Sequence, residues 1–139
     1  TSIKTALKIG KPCFAECGGF MYLLERFQAA SGEIYEWTGA ISGETFMTAK
    51  LNRFGYITLT AESDNVFCKI GEKINGHEFH YSQIIEQDEK LASAVQVYNA
   101  KGHPVNTAVF CYKNLIASYT HLYWGETGIW SLFEQVPGE

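Results

Sequence analysis

Proline is scarce, with three residues in 139, and no apolar run approaches the ~20 residues that a bilayer-spanning helix requires. Basic stretches are missing too. Eleven Lys and Arg against fifteen Asp and Glu give a formal charge of −4, which excludes nucleic acid or an anionic membrane as the main partner. The opening residues, Thr1-Ser2-Ile3-Lys4, contain no apolar signal-peptide region, so a soluble, cytoplasmic protein is expected. Cysteine is sparse, at positions 13, 17, 68 and 111, with no C-x-x-C pair, which argues against a disulfide framework and for reduced thiols. Repeats, low-complexity tracts and long linkers are also absent, and with 46% hydrophobic residues the chain suffices for one domain with a single core.

Local patterning predicts an α/β unit. Ile3, Ala6 and Leu7 share one helical face over residues 1–9, and Gly10 ends that pattern. A short apolar strand over 13–15 runs into Glu16-Cys17-Gly18-Gly19, followed by dense apolar spacing over 20–27 that predicts a buried helix. After Gly32 the texture turns to short β pieces at 34–37, 40–41 and 53–60, with a hairpin of 107–112 and 115–119 joined at Lys113-Asn114. Helices are expected around 88–94 and over 127–135. A parallel strand followed by a helix normally lies among similar units, so we expect upstream strands in the natural protein ahead of Thr1.

Cys17 stands at the strand-to-helix turn. Such a turn lifts the side chain off the sheet edge, two following glycines leave room for a substrate, and the helix start offers unpaired N–H groups. Those groups and the dipole lower a thiol pKa and can receive an oxyanion. The bland alternative is a small buried Cys ahead of a Gly-rich turn.

A thiolate acting on an acyl group needs a proton carrier for the leaving group. His121 follows the apolar run Leu115-Ile116-Ala117-Ser118-Tyr119 at its carboxyl end, where open α/β folds place reacting groups. His103 lies in a turn, and His77 and His80 lie in Gly76-His77-Glu78-Phe79-His80-Tyr81-Ser82. The spacing His77-x-x-His80 is not H-E-x-x-H, so no metal site is expected. Cys13, Cys68 and Cys111 sit in apolar runs and read as packing residues, and Tyr56, Phe79, Tyr119 and Trp124 as core or wall.

The segment Gly10-Lys11-Pro12-Cys13-Phe14-Ala15-Glu16-Cys17-Gly18-Gly19-Phe20-Met21-Tyr22-Leu23 resembles the nucleophile segment of the cobyrinic acid a,c-diamide synthase family. That family carries a C-terminal triad-type (class I) glutamine amidotransferase domain. Three further landmarks follow in the family's order: Arg53-Phe54-Gly55-Tyr56, the Gly76 to Ser82 block, and Ala117-Ser118-Tyr119-Thr120-His121-Leu122. The resemblance runs from about residue 2 to about residue 125. It implies a flavodoxin-like, mostly parallel sheet flanked by helices, with residues 1–139 forming part of the domain and its front portion missing.

By the same resemblance, Cys17 is the nucleophile, His121 the acid/base and the Gly18 N–H one oxyanion donor. The resemblance implies glutamine as the substrate. The resemblance also implies that ammonia passes to an ATP- and magnesium-dependent synthetase domain acting on the a and c carboxylates of a corrin precursor. That domain lies upstream in the family, and no G-x-x-x-x-G-K-[ST] loop occurs here, so no cofactor is expected in this chain. Glu78 is a candidate to orient His121 or a bound glutamine, and His80, Tyr81 and Ser82 are candidates to line the glutamine pocket. Tyr123 stands where related enzymes carry Glu or a second His, which leaves the third triad member open.

The second oxyanion donor comes from a Gly-rich loop that precedes Thr1 in the family. This chain alone is therefore expected to be weakly active, since loss of a donor costs ~3 kcal/mol. An exposed sheet edge predicts homodimers or strand exchange. Two other readings stay open: the same glutaminase serving another tetrapyrrole or acid acceptor, and a non-catalytic interaction module on the same scaffold.

Overall fold

The computed structural model describes residues 2–64, 67–85 and 95–126, so the helices expected at 88–94 and 127–135 lie outside the described residues. The order is α1 (Ser2–Lys8), β1 (Cys13–Glu16), α2 (Gly18–Leu23), β2 (Arg26–Gln28), β3 (Ile34–Glu36), β4 (Glu44–Met47), β5 (Arg53–Ala61) and β6 (Lys73–His80). It continues with β7 (Ser82–Ile84), β8 (Val95–Asn99), β9 (Val109–Tyr112), β10 (Leu115–Ser118), β11 (Thr120–Leu122) and a 3₁₀ turn at Trp124–Glu126.

Leu115-Ile116-Ala117-Ser118 is buried on both faces, the pattern of a strand with a layer on either side. It forms the middle of a three-stranded sheet, β1-β10-β9. β1 runs parallel to β10, from Cys13 opposite Leu115 to Glu16 opposite Ser118. β9 and β10 make the expected hairpin, with Lys113 at φ 50° in its two-residue loop, the positive φ that matches the twist of the flanking strands.

Strand alternation sorts the side chains of this sheet. Val109 and Ile116, with Phe14 partly buried, pack against Ile57, Leu59, Ile74, Val97 and Leu122 of a second, antiparallel sheet, β11-β6-β5-β8. Ala15, Phe110, Leu115 and Ala117 face α1 and α2, meeting Leu7, Phe20, Met21 and Leu23. A third sheet, β3-β2-β4-β7, holds the parallel pair β2 and β4.

The helix expected over 20–27 stops at Leu23, because Arg26–Gln28 pairs as a strand between β3 and β4. Phe27 stacks on Trp37 at 4.7 Å, and Arg26 reaches Glu36 at 3.1 Å and Glu44 at 2.8 Å, so tertiary partners override a helical spacing. Residues 40–41 form no strand, although Ile41 enters the core. Tyr56 and Phe79 are not core: at 69% and 46% exposed they occupy the outer face of the β5–β6 ladder, while Tyr119 is buried as expected. No helix among the described residues is long and apolar enough to cross a membrane.

Candidate active site

β1 and β10 end side by side, and the chain leaving each end carries one of the two chemical groups. Cys17 follows Glu16 directly, at φ 48° and ψ −107°, where it caps α2 without a side-chain hydrogen bond. Positive φ at a residue other than glycine costs of order 1–3 kcal/mol and is held only where surrounding structure enforces it. Here the Cys17 N–H donates to the Ser118 carbonyl at 2.8 Å and the Cys17 carbonyl accepts from the Met21 N–H at 2.9 Å, so the turn is fixed from both sides.

On the neighbouring strand, Ser118 is the last residue of the first sheet. Tyr119 crosses over, and Thr120–Leu122 then pairs with β6 in the second sheet, with His121 opposite His77. That switch places His121 three residues beyond the carbonyl that holds Cys17. A second connection closes the loop from below: the Glu16 carboxylate accepts the Leu122 N–H at 2.8 Å and the Trp124 indole N–H at 3.3 Å. The Cys17 turn and the His121 segment are therefore clasped at the same sheet edge.

The electrostatics of Cys17 differ from the expected depression. Burial pushes its thiol above the ordinary 9.0, outweighing the Gly18 N–H, which favours the thiolate, and the Glu16 carboxylate adds to the rise. A thiol raised in this way becomes a nucleophile only once a base takes its proton.

Alternation along β6 divides the Gly76 to Ser82 block. Glu78 and His80 point inward, while His77 and Phe79 lie on the opposite face. Glu78 is fully buried, accepts hydrogen bonds from the Thr107 and Thr120 hydroxyls, and has Arg53 Nε 3.3 Å away. Thr120, opposite Glu78, shares its face, and His121 takes the other. The structure thus does not bring Glu78 to His121.

The neighbour that His121 does have is His77, stacked at 5.0 Å between ring centroids and 13° from parallel, with Tyr123 packing on His77 at 5.9 Å. Sequence spacing missed His77 and Glu16. The antiparallel register that sets His77 beside His121, and the bend that returns Leu122 to Glu16, are long-range pairings with no local signal.

His80 and Ser82 come together around Tyr119, and Tyr81 stays 40% exposed. The His80 ring lies 3.9 Å from that of Tyr119, and His80 Nδ1–H donates to the Ser82 carbonyl at 2.9 Å. The Tyr119 hydroxyl bonds to Ser82 Oγ at 3.1 Å and Thr45 Oγ1 at 3.0 Å. Burial raises the Tyr119 phenol, offset in part by these hydrogen bonds, and the nearby Cys17 raises it further. His80, Tyr119, Arg53 and Thr107 border a cleft of 190 Å³. Among the described residues no group of three His, Cys, Asp or Glu could hold a metal ion. No disulfide joins the four cysteines, and Cys68 is pushed up to about 11, chiefly by burial, with the Glu72 carboxylate and Cys111 adding to the rise.

The chain is 40% identical over 121 residues to a cobyrinate a,c-diamide synthase of Caldanaerobacter subterraneus subsp. tengcongensis, covering 86% of this chain and 26% of that protein. It is 35% identical over 127 residues to the Priestia megaterium enzyme of the same name, covering 91% of this chain and 27% of that one. The chain thus spans about a quarter of the length of these relatives. Among solved structures, a protein assigned as a GMP synthase subunit from Thermoplasma acidophilum superposes with a TM-score of 0.52 at 16% identity. That match covers 95% of this chain and 60% of the other, and supports the class I amidotransferase fold. Residues 1–128 match the CobB/CobQ-like glutamine amidotransferase domain, and the chain belongs to that family.

Proposed function

We propose that this chain is the glutaminase portion of a cobyrinate a,c-diamide synthase, releasing ammonia from glutamine for amidation of the a and c carboxylates of a corrin precursor. The observation that carries this reading is the clasp of the Cys17 turn and the His121 segment at the ends of two adjacent parallel strands. His121 takes the Cys17 proton and the sulfur attacks the glutamine carboxamide carbon. The oxyanion that forms accepts a hydrogen bond from the Gly18 N–H.

Collapse breaks the C–N bond, and the His121 imidazolium gives its proton to the departing ammonia. A water deprotonated by His121 then cleaves the γ-glutamyl thioester to glutamate and restores the thiol. The cleft beside Tyr119 and His80 receives the amino-acid end of glutamine. ATP and magnesium act in the part of the longer relatives that this chain does not span, where the acceptor is also chosen.

The test is glutamate release by the full-length protein. Cys17→Ala should abolish it, and His121→Asn should lower kcat by about 10²–10⁴-fold, the usual contribution of a general acid–base group. A glutamine-like chloroketone should label Cys17 alone. Undiminished hydrolysis in Cys17→Ala, or equal labelling of all four thiols, overturns the reading. Equal labelling favours instead a binding module, the alternative suggested by Tyr123 in place of a carboxylate two residues after His121.

A further inference from the structure

We infer that Glu16 is a positioning residue that holds the His121 segment against the nucleophile turn. This role rests on the glutaminase reading above. Two connections join the segments, and they differ in kind. The first, Cys17 N–H to Ser118 carbonyl, is made by backbone and is available to any residue but proline at position 17. The second depends on one side chain: Glu16 Oε1 takes the Leu122 N–H at 2.8 Å and Oε2 takes the Trp124 indole N–H at 3.3 Å.

Only Tyr119, Thr120 and His121 lie between the two anchor points. β11 pairs with β6 along one edge, and β11 is the outermost strand of its sheet. Its other edge would present an unpaired N–H at Leu122, and the Glu16 carboxylate supplies the acceptor there. Charge-assisted hydrogen bonds of this type are about twice as strong as neutral ones.

The placement has an electrostatic cost that speaks for a geometric role. A carboxylate one residue from the nucleophile disfavours the thiolate. A group selected to activate sulfur by charge would carry the opposite sign, so Glu16 contributes through its acceptor oxygens. Gln at this position keeps an oxygen for Leu122 and removes the charge, whereas Ala removes both.

The experiment compares Glu16→Gln and Glu16→Ala in the full-length protein by glutaminase kinetics and by hydrogen exchange at the Leu122 amide. Glu16→Gln should keep Leu122 protected and hold kcat within about threefold of the parent. Glu16→Ala should speed Leu122 exchange and lower kcat by about tenfold or more, with KM within about threefold, as expected when a group acts on the chemical step rather than on binding. Equal kcat in Glu16→Ala, equal damage in both variants, or a loss confined to KM would overturn the role while leaving the glutaminase reading intact. An unsubstituted protein that leaves glutamine unhydrolysed, with Leu122 still protected, would overturn the glutaminase reading and the catalytic purpose assigned to Glu16 with it.

Discussion

The imidazole of His77 lies face to face with that of His121, 5.0 Å away and 13° from parallel, so the acid/base candidate is braced by a second ring from the facing strand. Aromatic pairing is worth about 0.5–1.5 kcal/mol, enough to change the occupancy of one rotamer by up to about tenfold. His77→Ala should therefore lower glutaminase kcat by about three- to tenfold with KM little changed, and His77→Phe, which restores a flat ring, should recover most of it. Steady-state kinetics of the two variants check this, and equal losses in both would show that the ring face is not what matters.

At Cys17 burial outweighs the Gly18 N–H and holds the thiol above 9.0, so the neutral form dominates near pH 7. Alkylation of Cys17 by iodoacetamide should rise about tenfold per pH unit from about pH 7 to about pH 9, following the thiolate fraction. Glu16→Gln removes a neighbouring negative charge and should move the curve to lower pH. Peptide mass spectrometry reads both, and a rate that levels off below about pH 8 would contradict the assignment.

Gly76 sits opposite Leu122, and a Cβ there would press into the His121 carbonyl oxygen and come within 3.2 Å of Leu122 Cα. These are backbone atoms and cannot turn aside. Gly76→Ala should push β11 off β6, costing about 1–3 kcal/mol in urea unfolding, as overpacked cores do. The same displacement should lower kcat by more than the stability loss alone explains, measured where the variant remains folded. Parent-like activity would mean that β11 tolerates the shift.

Much of this site is legible from local signals. Cys17 at a turn between an apolar strand and a helix, and His121 after an apolar run, are each marked by a few neighbouring residues, and their two segments meet beyond the ends of β1 and β10. Partners set by register are not legible. Standing between His77 and His80, Glu78 is a candidate to orient His121, yet one residue of alternation sends the carboxylate inward to Thr107, Thr120 and Arg53. Arg26-Phe27-Gln28 continues a helical spacing, but β3 and β4 offer it ladder bonds on both edges.

Tyr119 joins β10 to β11, and its hydroxyl lies between Thr45 of β4 and Ser82 of β7, with the Thr45 hydroxyl in turn donating to the Gln83 carbonyl at 3.0 Å. Tyr119→Phe keeps the ring against His80 and Phe20 and leaves the buried hydroxyls short of a partner. Loss of about 1–3 kcal/mol is expected by urea unfolding, the usual cost of an unsatisfied buried polar group. A neutral result would indicate that Ser82 and Thr45 find each other or water.

His80 gives the fold a pH dependence whose sign follows from its surroundings. Burial lowers its pKa from the ordinary 6.5, more than the Ser82 carbonyl and the Glu78 carboxylate raise it, while Arg53 and His121 lower it further. Its Nε2 is buried without a hydrogen-bond partner, so a proton added there would have nothing to bind. Because the folded-state pKa lies below the unfolded value, the stability is fully present above 6.5 and is lost as pH falls through the folded pKa. The urea midpoint should hold steady from about pH 8 to about pH 7 and decline toward about pH 5. His80→Asn, which keeps a donor for Ser82 in the place of Nδ1 and cannot titrate, should flatten part of that decline. A variant that tracks the parent across the whole range would overturn the assignment of this decline to His80.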